Sequence, residues 1–147
     1  MPFVVRRLES GDINLARQTF AAMADGFEDA WAPLSDGYLA DLLARPDLLV
    51  LAALDSDRVV GGLTAFVLPM VRAEAREVFI YDLAVAPADQ RRGAGTALMA
   101  HLRTLARTMG AANSFVPADV EDTHALRFYE RQGGVAADVT MFTFDAE

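Results

Sequence analysis

Val78-Phe79-Ile80-Tyr81-Asp82-Leu83-Ala84-Val85, followed after a short turn by Gln90-Arg91-Arg92-Gly93-Ala94-Gly95, is the stretch whose reading decides the fold. The first run is apolar, β-branched and aromatic, and reads as a buried strand. The second opens a helix with two glycines and two arginines at its mouth. The first turn of a helix has backbone N–H groups without an intrahelical acceptor, and the helix dipole adds partial positive charge there. Glycine lets a ligand approach that backbone closely. Converging N–H groups beside Arg91 and Arg92 therefore describe a site for a diphosphate.

Two familiar phosphate loops are excluded. The P-loop needs a lysine after its last glycine, and this chain has no lysine anywhere. The dinucleotide fingerprint G-x-G-x-x-G needs a third glycine, and Leu98 stands in that place. What remains is Q-x-x-G-x-G behind a strand. A second segment lies downstream, Thr123-His124-Ala125-Leu126-Arg127-Phe128-Tyr129-Glu130-Arg131-Gln132-Gly133-Gly134. Its spacing predicts a short helix with Ala125, Phe128 and Tyr129 on one face. Gly133 or Gly134 can take the left-handed position that ends it. Together the two segments resemble the GNAT superfamily of N-acetyltransferases, with the resemblance running from about Arg6 to Phe144.

Composition narrows the function classes. A chain of 147 residues, 53% hydrophobic, is expected to form one domain over 1–147 with a substantial core. Apolar runs such as Leu48 to Leu54 fall short of the roughly 20 residues that span a bilayer. The start of the chain lacks the pattern of a signal peptide, because Arg6-Arg7-Leu8-Glu9 interrupts a short apolar stretch. A cytoplasmic protein without a membrane partner is expected. With no cysteine there is no disulfide or thiolate metal site. His101 and His124 read as surface or helix-face residues, and no metal is expected. A net charge of −8 disfavours nucleic acid and favours cationic small molecules.

Along the chain, Phe3 to Leu8 reads as a strand, and Ser10 or Asp12 caps a helix whose apolar positions are Ile13, Ala16, Phe20 and Met23. After the irregular segment Phe27–Leu34, Ser35 caps a second helix with Tyr38, Leu39, Leu42 and Leu43 inward, stopped before Pro46. Two strands, Leu48–Leu54 and Arg58–Leu68, flank the turn Asp55-Ser56-Asp57, and Gly61-Gly62 is a candidate bulge. Leu98, Leu102, Leu105 and Met109 stripe the helix after the glycines, which ends at Gly110. Asn113–Pro117 and Val135–Phe144 read as further strands. The expectation is an α/β (α+β) fold with a mixed, mostly antiparallel sheet of roughly six to seven strands and helices on both faces.

The resemblance implies a splayed cleft beside the strand that precedes the glycines, with acetyl-CoA as cosubstrate. On this chain, the backbone of Leu83, Ala84 and Val85 would pair with the pantetheine arm. Gln90, Arg91, Arg92, Gly93, Ala94, Gly95 and Thr96 would hold the diphosphate, and Phe128 would pack near the arm. Acetyl transfer to an amine needs the amine neutral. Asp82, a carboxylate in an apolar run, is the candidate base, directly or through water. A structural pairing of Asp82 with an arginine such as Arg127 is the alternative. Tyr129 is the candidate acid that protonates the departing thiolate. An N–H of Leu83 or Ala84 would serve the oxyanion.

Val60 to Pro69, Ile80 to Val85 and Ala118-Asp119 are further similar to the aminoglycoside 3-N-acetyltransferases of GNAT type. That likeness implies a polycationic antibiotic as acceptor, and acidic side chains to meet it. The candidates are Glu28, Asp29 and Asp36 in one cluster and Asp119, Glu121 and Asp122 in another. Val120 and Glu121 depart from the aromatic and glycine often found there. The alternative acceptors are a protein N-terminus, a polyamine or another small amine. A homodimer is expected by resemblance alone.

Overall fold

The computed structural model describes residues 3–146, which divide into two compact units, one running to Pro117 and the other starting at Ala118. The first holds β1 (Phe3–Arg7), α1 (Ile13–Gly26), α2 (Asp36–Ala44), β2 (Leu48–Asp55), β3 (Arg58–Pro69), β4 (Arg76–Val85), a single 3-10 turn (Pro87–Asp89), α3 (Ala94–Thr108) and β5 (Ala111–Phe115). The sheet runs β1-β2-β3-β4-β5, antiparallel except for the parallel pair β4–β5.

Sequence explains the central strands. Leu48 to Ala53 are all buried, because β2 is covered on both faces. Leu48, Val50 and Ala52 join Leu8, Ala16, Leu39 and Leu43 in the core beneath α1 and α2. The intervening Leu49, Leu51 and Ala53 point the other way, toward the layer formed by Leu98 and Leu102 of α3. Ser35 caps α2, its hydroxyl accepting from the Tyr38 N–H at 3.2 Å, and Arg45 is extended because Pro46 follows. Tyr38 itself is exposed rather than inward; Leu39 and Leu43 alone on α2 supply the fully buried face.

Two irregularities shape the sheet. Ala53 pairs with Gly61 and Leu54 with Val59, which leaves Val60 as the extra residue, one position before the glycines. Thr64 pairs with Asp82 and Ala65 with Ile80, so Tyr81 bulges from β4 next to Asp82. Gly61 is required for another reason: a Cβ there would stand 2.6 Å from the Ala84 carbonyl oxygen.

The second unit contains α4 (Thr123–Arg131), capped by Asp122, whose carboxylate accepts from the Ala125 N–H at 3.0 Å. Gly133, at φ 92°, lies just past its C-terminus. Val135–Phe144 forms no strand, so the described residues make a five-stranded sheet rather than six or seven. Its apolar pattern is real, but a strand exists only with a hydrogen-bonded neighbour, which pattern alone does not supply. Val135, Val139, Met141, Phe142 and Phe144 are exposed.

Gly61→Ala should destabilise the protein by about 1–3 kcal/mol, because the obstacle is backbone. Gly37→Ala, where nothing lies within 4 Å of the added methyl, should not. Paired urea melts check the contrast.

Candidate active site

β4 is hydrogen-bonded to β3 from Arg76 to Val85, but to β5 only from Arg76 to Phe79. β5 ends at Phe115, opposite Phe79, so among the described residues Leu83, Ala84 and Val85 are paired with a strand on one edge only. Phe79 and Phe115 stack where β5 ends, centroids 5.0 Å apart. The opened edge offers main-chain donors and acceptors to an extended ligand arm. Gly26, the last residue of α1, fits against the Val85 carbonyl, where a Cβ would be 2.5 Å from the oxygen.

The turn from β4 into α3 has the shape of an anion cradle. Arg91 (φ 63°) and Gly93 (φ 96°) are left-handed, and the first ring of α3 closes from the Ala97 N–H to the Gly93 carbonyl. The amides of residues 94–96 precede that ring, at the positive end of the helix. Ala94 is buried, Gly93 and Gly95 are partly buried, and Thr96 is exposed. Gln90 braces the turn against the strand, its amide nitrogen donating to the Val85 carbonyl at 3.0 Å. The two arginines differ. Arg92 is engaged with Asp89 and Asp55 at 3.1 and 3.0 Å and lies over the Phe3 ring. Arg91 is exposed and makes no ion pair among the described residues. The spacing suits a diphosphate-bearing donor, with Arg91 as its available cation.

Asp82 is half-buried on β4, and its nearest side-chain partner is the Thr64 hydroxyl at a long 3.5 Å. Burial pushes its carboxyl above the ordinary range, and the Thr64 hydroxyl only partly opposes this. A carboxylate with raised pKa is a better proton acceptor from an ammonium.

Beside α1, an open cleft of about 1070 Å³ is lined by Asp25, Asp29, Asp55, Asp57, Arg58 and Trp31 among others. It reaches Ala86 just past β4, not Asp82. Asp25, Asp55 and Asp57 were not legible as a group, because the helix end and the hairpin meet only in the fold. Glu28 is exposed in left-handed backbone, and Asp29 is exposed with one oxygen accepting from the Ala30 N–H. Asp36 is ion-paired with Arg17.

The other candidates belong to the second unit. Asp119 accepts from the Glu121 N–H at 2.9 Å, Asp122 caps α4, and Glu121 is exposed. Phe128 and Tyr129 are both partly buried on α4, with ring centroids 5.2 Å apart.

The chain matches the Acetyltransferase (GNAT) family over residues 16–134 and belongs to it. That family uses acetyl-CoA.

Among solved structures, one similar chain is an aminoglycoside acetyltransferase from an uncultured soil metagenomic sample. It is 34% identical with all of both chains covered, at a TM-score of 0.94. A second soil metagenomic aminoglycoside acetyltransferase, in complex with sisomicin, is 28% identical over 99% of this chain and 97% of its own, also at 0.94. A ribosomal-protein-alanine N-acetyltransferase from Brucella melitensis shares the fold, at 19% identity over 98% and 99% of the two chains and a TM-score of 0.76. No curated protein gives a significant match.

Asp82 yields a signed prediction. Its native pKa is raised, so the folded state holds the proton more tightly than the unfolded one. Stability contributed by the neutral form is present below the unfolded value and lost as pH rises through the folded value. Asp82→Asn should therefore leave the protein as stable or more stable at pH 7. Activity should move oppositely, falling roughly a hundredfold or more in kcat. The wild-type acid limb of kcat/KM should lie above the ~3.9 of a free aspartate, and the variant should lack it. Thermal melts and a pH–rate profile read both.

Proposed function

We propose that this acetyltransferase moves the acetyl group of acetyl-CoA onto an aminoglycoside, at the 3-amino group of the deoxystreptamine ring. The likeness to the soil aminoglycoside acetyltransferase, along the whole of both chains, carries the reading. The sisomicin complex of the second relative supports a polycationic acceptor.

Acetyl-CoA supplies the acetyl group as a thioester. In this reading Arg91 and the amides at the start of α3 bind its diphosphate, and the free edge of Leu83–Val85 orients the arm. Asp82 takes the proton from the acceptor ammonium, so that the nitrogen lone pair can attack the thioester carbonyl carbon. An N–H of Leu83 or Ala84 meets the oxygen as charge builds on it. As the C–S bond breaks, the Tyr129 phenol gives its proton to sulfur, and the acylated nitrogen sheds its remaining extra proton to the phenolate, leaving a neutral amide. Tyr129 takes this role, and Phe128 packs near the arm, on the resemblance of their helix segment to the family. The acidic residues Asp119, Glu121 and Asp122 are assigned to the acceptor on the same basis.

The test is a thiol-release assay with gentamicin, sisomicin, kanamycin and tobramycin, the acetylated nitrogen located by NMR. Acetylation at the 3-amino group is expected. Turnover of another amine and none of these would overturn the substrate. Gly95→Val should raise the Kd for acetyl-CoA by roughly tenfold, about 1.4 kcal/mol. We further propose a homodimer, which light scattering should report at twice the chain mass of 15.9 kDa.

A further inference from the structure

Asp89 sits at the end of the turn between β4 and α3 and is only 3% exposed, in a position where the motif itself asks for no particular side chain. A buried carboxylate persists only when it is paired and hydrogen-bonded. Arg58, at the foot of β3, grips it with two parallel bonds of 2.7 and 2.8 Å. Arg92 adds a third at 3.1 Å and reaches Asp55 at 3.0 Å. Arg58 also approaches Asp55 at 3.7 Å, so two arginines and two aspartates close a ring between the hairpin and the turn.

The bridge from Asp89 to Arg92 spans Arg91, which lies in left-handed backbone that L residues seldom adopt. On its other side the turn is fixed by the Gln90 bond to Val85. Arg91 is thus stapled from both ends while its own guanidinium stays uncommitted. The fork from Arg58 anchors the staple to the sheet. The Arg58 bonds and the charge of both arginines hold the Asp89 carboxyl below the ordinary range, against the effect of burial.

We infer that Asp89 is a positioning residue for the donor: through Arg58 and Arg92 it locks the turn in the shape that presents Arg91 and the first amides of α3 to a diphosphate. The inference rests on the acetyl-CoA reading and extends it to residues outside the motif. It separates the two neighbouring arginines by role. Arg92 holds the loop, and Arg91 meets the ligand.

The test compares wild type, Asp89→Asn and Arg58→Gln with two donors, acetyl-CoA and S-acetylpantetheine, which lacks the diphosphate. For both variants KM for acetyl-CoA should rise roughly tenfold, the scale of loss from a small misplacement of a binding group, with kcat within about twofold. KM for S-acetylpantetheine should not move. Equal losses with both donors, or no loss with either, would overturn the assignment. Arg58 lies at the surface, so Arg58→Gln decides the matter if Asp89→Asn does not fold. Calorimetry of CoA on the wild type separates the two levels: no binding there defeats the acetyl-CoA reading itself, whereas normal binding with unaffected variants defeats only the role of Asp89.

Discussion

The unequal pairing of β4 governs the molecule. One edge is zipped to β3 for its whole length, while on the other β5 ends opposite Phe79. A strand with unsatisfied main-chain groups is normally a liability. Here the unpaired edge is short, adjoins the start of α3, and is held from behind by a fully paired neighbour. The bulge at Tyr81, the close seat of Gly26 on Val85 and the Gln90 bond to the same carbonyl all act on this segment. They keep it in place without closing it.

Electrostatics follow the same plan. Asp82 is kept in a setting that disfavours its charge, and Asp89 in one that demands it. The difference lies in their partners: a hydroxyl at the edge of bonding distance for one, two guanidinium groups for the other. One carboxyl is biased toward its neutral form, and the other is fixed as a structural anion. Both lie within the same short stretch of chain.

Much of this was legible beforehand, and the reasons are local. Periodicity located the helices, Ser35 marked one helix start, and the glycine pattern after a buried strand pointed to the family that the comparisons then showed. Tyr38 misled because its spacing fits the buried stripe, yet its ring can turn outward to water. Val135–Phe144 misled because alternation describes a strand's faces and says nothing of its hydrogen-bonding neighbour. The Arg58–Asp89 fork joins residues far apart in sequence, and the Tyr81 bulge is a property of register between two strands. Neither leaves a mark in the order of residues. The unequal settings of Arg91 and Arg92, adjacent and chemically identical, depend on backbone angles and on the two carboxylates that the fold brings to Arg92.

Arg91, Arg92 and Arg58 show a habit that holds for all 13 basic side chains of the chain, every one a guanidinium. A guanidinium stays protonated and has no lone pair ready for acylation at neutral pH, unlike the ammonium of lysine, which shifts its pKa when buried. An enzyme that keeps an activated thioester close by is exposed to acetylating itself. With only arginine for its positive charge, this one offers its donor no side-chain amine of its own to consume.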